Sequence, residues 1–420
     1  MLSLGLNYGD RSAIAVGAPY IMKEFHFDTV TWGIILGAFS FGYAPFCFVG
    51  GWTSDKFGPR KIMALACVWW SILTALTVVG FNFLTFFLQR LLFGFGEGPQ
   101  GSVTTKTLGS WFPQRELGSA IGIANASTAL GGAIATPLVV WLMVISHGNW
   151  RIPFIILGLI GLLIAIGWFV VVRDKPEQHP WITVKELTQI QAGELARSPE
   201  YAVDGSVPTV RQYLKSPLVW TVAIAFFGYS WVLFTFLNWF PDYLVQARHI
   251  NIKNLAISGG IPWVAGAIGI IIGGLLTDWL GRKTGKTTVV RKWVVVISLL
   301  GAGAAFVPSA LASSLISAVT LMAVSVFLLY LTGAQYFAII AEVVPSSRVG
   351  GVMGFVHFIA NLAGILAPSI TGALVGMTHT WSIGFAIGAV MAGIGALGLA
   401  VFGKVKTKQT HTNASSAISQ

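Results

Sequence analysis

Two short stretches hold the residues whose types and spacing could do chemistry. "NYGDRSAIAV", from Asn7 to Val16, sets Asp10 beside Arg11 inside an apolar run. "RLLFGFGEGPQ", from Arg90 to Gln100, sets Arg90 and Glu97 two helical turns apart, on one helix face. An ionisable side chain at mid-membrane costs about 2.5 to 3.5 kcal/mol, so such groups face a cavity or a partner and mark a pathway. Arg11 is always protonated, and its planar fork can receive a carboxylate through two hydrogen bonds. Asp10 and Glu97, taken out of water, are carboxyls that can carry protons, and Arg90 is a charge partner for them. The alternative is inert: Asp10 with Arg90, or Arg11 with Glu97, as an ion pair inside the membrane. Asp10 and Arg11 are about 100° apart on their helix, so one can face a neighbouring helix and the other a cavity.

The elements that must position these groups are membrane helices. With 55% hydrophobic and only 10% charged residues, and a mean hydropathy of +0.76, the chain cannot hide its apolar surface in one soluble core. Twelve apolar runs are long enough to span, at about 1–20, 31–51, 62–80, 83–105, 117–146, 152–172, 217–245, 254–277, 290–309, 312–342, 349–377 and 381–403. The short alternating segments of a membrane β-barrel are absent from the sequence. The first run lacks a small-residue cleavage site and reads as a helix, not a removed signal peptide. The expected class is therefore an all-α membrane protein with twelve transmembrane helices. Of 15 acidic residues, Asp10 and Glu97 fall within the runs and Glu342 at the inner end of the tenth; the others fall at helix ends, in loops or in the linker. With the N-terminus inside, most of the 26 Lys and Arg face the cytoplasm, as the positive-inside bias requires. Both termini are expected there, in a multi-pass protein of the cell membrane. The net charge of +11 then reflects topology, and no nucleic-acid partner is expected. Cys47 and Cys67 fall in apolar runs and show neither a disulfide framework nor metal-ligand spacing.

A polar stretch from Arg173 to about Ser216 divides the chain. The expected organisation is an N-terminal six-helix bundle (1–173), a cytoplasmic linker (174–216), a C-terminal six-helix bundle (217–403) and a polar tail (404–420). Internal repetition supports the division. "GWTSDKFGPRK" matches "GLLTDWLGRKT" through Gly51/Gly274, Asp55/Asp278 and Gly58/Gly281; "FPQRELGSAIG" matches "VPSSRVGGVMG" through Pro113/Pro345, Gly118/Gly350 and Gly122/Gly354. Two pseudo-symmetric bundles around a midplane site are a transporter architecture. A short turn between helices needs glycine at positive φ, and an acid can lock neighbouring helix ends. Gly51, Asp55, Gly58, Arg60 and Lys61, with Gly274, Asp278 and Gly281, thus form a candidate cytoplasmic gate.

That loop resembles the signature of the major facilitator superfamily. Through "NYGDR", "GFGEGP", "SWFPQRELGSAIG" and "RDKPEQHPWITVKEL" the chain is similar, over nearly its whole length, to the anion:cation symporter family. This group carries galactonate, glucarate, hexuronate and other organic anions. The resemblance implies that Asp10 and Glu97 couple protons, that Arg11 binds the anion, and that Tyr8 and Tyr43 hydrogen-bond it. Other polar residues within the runs could line the same cavity or hold helices together: Asn125, Thr128, Asn238, Gln335, Tyr336, His357 and Asn361. His357 stands where many relatives have Asn, and Thr128 where the galactonate carrier has Gln, so galactonate itself is not singled out.

"GRKTGKT" has three residues between its glycines, not four, and follows a membrane helix, so it reads as a basic turn and not a phosphate loop. "GFGEGP" lacks the strand and acidic partner of a dinucleotide site. No enzyme constellation, cofactor or metal is expected. The expected activity is proton-coupled uptake of a small organic anion, a sugar acid above all, by a monomer in the lipid bilayer. An aromatic or dicarboxylic acid is the alternative cargo, and a non-transporting sensor of the same fold the alternative class. Only nine residues precede Asp10, about 13 Å of helix, or roughly half of a 30 Å hydrocarbon core. The expected natural start therefore lies about ten to twenty residues upstream, in a Lys- or Arg-rich leader.

Overall fold

The twelve apolar runs fold as helices. The computed structural model describes residues 1–112, 114–195, 209–344 and 346–404; the side chains at 48, 55, 114–119, 121, 191–195 and 346–348 lie outside that description. The first half contains α1 (Leu2–Phe25), α2 (Thr29–Phe57), α3 (Pro59–Leu76), α4 (Phe83–Glu97), α5 (Pro99–Trp111), α6 (Gln114–Ile145) and α7 (Arg151–Val171). Short α8 (Val184–Leu195) and α9 (Val210–Tyr213) lie in the connection. The second half contains α10 (Pro217–Gln246), α11 (Ile252–Thr284), α12 (Thr287–Leu311), α13 (Leu315–Leu331), α14 (Gln335–Val343), α15 (Ser346–Thr378) and α16 (Trp381–Phe402).

Ten spans among the described residues are long and apolar enough to cross a membrane. Two of the twelve runs fall short, α1 and the α4–α5 pair, and these carry Asp10, Arg11, Arg90 and Glu97. The fourth run is split at Gly98, with Pro99 opening α5 where its missing N–H is not needed. The tenth is split in the matching place, between Leu331 and Gln335. Hydrophobic periodicity registers apolarity and not continuity, so neither break was legible.

Packing repeats between the halves. In the first, α1 lies on α6, α2 on α4 and α3 on α7; in the second, the corresponding α10 lies on α15, α11 on α13 and α12 on α16. The halves meet through α2 with α15 and α11 with α6, one contact exchanged by a pseudo-two-fold axis, and through α1 with α10 on that axis. Close approaches across the seam lie far from the termini: Gly33 against the backbone of Pro368, Gly37 against Ile365, Gly372 against the Thr29 carbonyl, Gly132 against the Trp263 ring. That end is closed.

The glycine pattern builds the two halves differently. Gly58 sits at φ +88 and Pro59 begins α3, because a residue before proline is kept out of the helical region. Gly281, its sequence mate, is followed by Arg282 and stays helical; α11 runs on to a left-handed Gly285. The gate sequence therefore turns after Phe57 in one half but four residues later in the other.

Candidate functional site

The site begins with the crossing of α2 and α4. A Cβ on Gly42 would collide with the Leu91 carbonyl oxygen, and one on Gly94 with that of Phe39, so both positions must be glycine for the backbones to touch. This approach brings Phe39 and Tyr43 of α2 up against Arg90, Phe93 and Glu97 of α4, and α1 adds Asp10 and Arg11. All four charged groups are buried: Asp10 is 3%, Arg11 5%, Arg90 4% and Glu97 0% exposed.

Arg11 donates from Nε and Nη2 to one oxygen of Glu97, Oε2, at 3.0 and 2.8 Å. Of the two inert pairings open to the sequence, Arg11 with Glu97 is the one formed. Oε1 of Glu97, both carboxyl oxygens of Asp10 and Nε of Arg90 have no hydrogen-bond partner among the described residues. Thr74 of α3 stands beside Asp10, and Asn7 beside Glu97, without completing a hydrogen bond. The Phe39 ring lies 4.5 Å from the Arg11 guanidinium carbon and 5.0 Å from that of Arg90. Tyr8 and Tyr43 stand 5.0 and 5.1 Å from the Arg11 guanidinium carbon, measured to their ring centres. Aromatic faces attract a desolvated cation by about 2 kcal/mol, so the rings hold both guanidiniums where water is scarce.

The second half faces this cluster with an aromatic wall and, among the described residues, no Asp, Glu, Lys or Arg. Tyr8 meets Trp263 edge-on at 6.0 Å, and contacts continue from Trp263 to Tyr330 at 6.5 Å and from Tyr330 to Tyr229 at 6.4 Å. Tyr229 touches Tyr336, which stacks on Phe226 at 4.5 Å; His357 lies on the same Phe226 ring at 5.8 Å. The Tyr330 hydroxyl is buried with no completed hydrogen bond, beside Thr128 of α6.

Sequence and structural comparisons place this arrangement among known proteins. The model of the Major Facilitator Superfamily matches residues 1–330. The hexuronate transporter of Bacillus subtilis is 39% identical over 94% of this chain and 89% of its own length. The chain belongs to the major facilitator superfamily. A probable sulfoacetate transporter of Cupriavidus necator is 32% identical over 93% of this chain and 89% of its own. A bacterial homologue of the human lysosomal transporter Spinster, solved in an inward-facing and unoccupied conformation, superposes with a TM-score of 0.71 at 19% identity, covering 96% of this chain and 93% of that one. It shares the fold.

Within this major facilitator chain the expected site residues divide. Tyr8 and Tyr43 join the charged cluster, and Tyr336 and His357 join the aromatic wall. Asn238 and Asn361 donate their amides to the backbone of their own helices, at Phe234 and His357, both at 2.8 Å. Thr128 donates to the Asn125 carbonyl oxygen at 2.7 Å, and Asn125 itself is exposed. Gln335 is drawn away: it accepts from Arg291 at 3.2 Å and donates to the Gly273 carbonyl oxygen at 3.3 Å, fastening α14 to α11 and α12. Sequence reasoning missed Phe39, Trp263, Tyr330 and Tyr229. An aromatic in an apolar helix has no spacing to distinguish it from lipid-facing neighbours.

The side chain of Asp55 lies outside the described residues. Around it Asp174 accepts from the Arg60 backbone N–H at 2.8 Å, Arg60 donates to the Phe169 carbonyl oxygen at 2.8 Å, and Lys106 donates to that of Ser54 at 2.7 Å. Lys61 is exposed. In the second half Arg291 pairs with Asp278 at 3.3 Å and with Glu342 at 2.9 Å. Both gate copies thus knit ends of helices at the side of the termini.

Proposed function

We propose that the chain is a proton-coupled symporter that takes up a small organic anion, in first place a hexuronate or related sugar acid, by alternating access. The observation that carries the reading is the bond from Arg11 to Glu97: an internal carboxylate already occupies the fork an entering carboxylate would need. Protonating Glu97 frees the guanidinium, and a substrate carboxylate takes its place. Asp10, buried beside it with no cation bonded, is the second proton carrier, and Arg90 balances charge across the Phe39 ring. The aromatic wall supplies stacking and hydroxyls for the rest of the substrate. The two bundles, 1–173 and 217–403, rock about this site, and with the termini in the cytoplasm the closed end would be the outer one, a reading the seam contacts far from the termini support. The protein then acts as a monomer in the cell membrane with both termini cytoplasmic. The identity to a hexuronate carrier favours sugar acids, while the aromatic wall would also suit a flat carboxylic acid.

The test is uptake of labelled D-glucuronate or D-galacturonate by proteoliposomes under a pH gradient. Glu97→Gln and Asp10→Asn are expected to abolish accumulation, with at least one retaining substrate exchange. Normal accumulation in both would remove the mechanism. A thermal-shift comparison of sugar acids with aromatic acids distinguishes the two cargoes, since a ligand raises the stability of the state it binds.

A further inference from the structure

One buried carboxyl has no part in that mechanism. Asp242 lies one turn before the end of α10 and is 0% exposed. Its hydrogen bonds come from a single nitrogen on its own helix: Nε2 of Gln246 reaches Oδ1 at 2.8 Å and Oδ2 at 2.9 Å. No cation pairs with it among the described residues. With Thr235, Asn238 and Gln246 it forms a polar stripe at intervals of three and four residues, along one face of a largely apolar helix.

The stripe ends at a cavity of about 510 Å³ at the closed end of the molecule. Gln246, Val375, Gly376 and Trp381 line it from one half, and Lys23 and Thr29 are among those lining it from the other. The seam therefore runs through this cavity, and parting the halves would widen it over Gln246, the residue bonded to Asp242. The ionisable groups facing it are Lys23 at the end of α1, Asp28 before α2 and His379 after α15. From α16 come Trp381 and Phe385, which pack on Tyr243. Arg248 donates to the Tyr243 hydroxyl at 2.6 Å and to the Ala310 carbonyl oxygen in the last turn of α12. Lys253 of α11 is exposed. Arg291 and Lys292 of α12, and Glu342 of α14, lie at the opposite end, and Tyr330 of α13 and Tyr336 of α14 in the central wall.

We propose that Asp242 is a third proton-exchanging carboxyl, belonging to the outer gate and not to the central site: it holds a proton while the seam is closed and releases it when opening admits water. An ionised carboxylate sealed in without a cation carries a large desolvation penalty, and one amide nitrogen does not offset it. Hydration on opening removes the penalty. Acid outside then favours the closed seam and alkali the open one, by linkage between proton binding and conformation. The inference rests on alternating access but not on the identity of the substrate.

The experiment needs no substrate. A single cysteine replaces Val375 in a Cys47→Ser, Cys67→Ala background, and an impermeant maleimide is applied in proteoliposomes to the face bearing the cavity. Labelling, corrected for thiolate fraction, is expected to rise with pH, by at most about tenfold per unit, the limit for one linked proton. Asp242→Asn should leave it low and flat, Gln246→Ala should move the rise to higher pH, and His379→Gln should leave it in place. A rise unchanged in Asp242→Asn, or lost only in His379→Gln, overturns the proposal while alternating access stands. A parent never labelled at any pH overturns both. Should Asp242→Asn fail to reach the membrane, an unshifted rise in Gln246→Ala overturns it.

Discussion

Arg11 is the side chain on which the proposed site depends, because geometry and not charge alone decides what it can hold. Its fork places two N–H groups on one oxygen of Glu97, a contact a lysine ammonium cannot reproduce. Arg11→Lys is expected to weaken hexuronate binding by about tenfold or more, the worth of a charge-assisted hydrogen bond, measured by titration calorimetry. Near-wild-type affinity would leave the Arg11–Glu97 pair as inert packing. At the surface, Asp28 caps α2 by accepting from the Thr31 N–H at 2.8 Å. The hydrogen bonds from Thr31 hold this carboxyl below its ordinary value. A lowered folded value means that the ionised cap stabilises above the unfolded pKa, and that this contribution is lost as pH falls through the folded one. Asp28→Ala should cost about 1 kcal/mol at neutral pH. The gap to wild type should close below about pH 4, as read from melting curves in detergent; Asp28→Asn, which still caps, should show little change. Asp10, Arg11, Arg90 and Glu97 stood out in the sequence because charge is rare in apolar runs. Asp242 did not, since four residues from a helix end a carboxyl ordinarily reaches water; only the fold reveals that α15 and α16 close over this end of α10.

At the scale of elements, the α2–α4 crossing sets the distance between Phe39 and Arg90. Ala has the better helix propensity by about 1 kcal/mol, so Gly94→Ala would stabilise α4 in isolation. Here the added methyl meets the Phe39 carbonyl, and overpacking costs about 1 to 3 kcal/mol. The variant is expected to melt lower and to transport poorly; an unchanged melting temperature with full uptake would show that α4 can slide without moving the site. The spans were legible in the sequence because length and apolarity are local properties. The breaks between α4 and α5 and between α13 and α14 were not, nor was the helical state of Gly281, because continuity depends on what packs alongside and on a single following proline.

For the whole molecule, the pseudo-two-fold relates backbones and not chemistry. The internal repeats announced the two halves, and matched packing of α1–α6 with α10–α15 bears them out, yet every charge of the cluster sits on α1 and α4, while their mates α10 and α13 bring tyrosines to the wall. On the proposed mechanism, proton exchange and capture of the carboxylate sit together in the first half, and contacts to the rest of the substrate lie across the seam, where they can be altered separately. Joining residues 1–216 of this chain to the second half of the probable Cupriavidus sulfoacetate transporter tests it: hybrid and parent should respond alike to a pH gradient while differing in preferred anion, as read by competition uptake. On that mechanism the charged half is the part that must be kept, and the aromatic half the part free to change with the cargo.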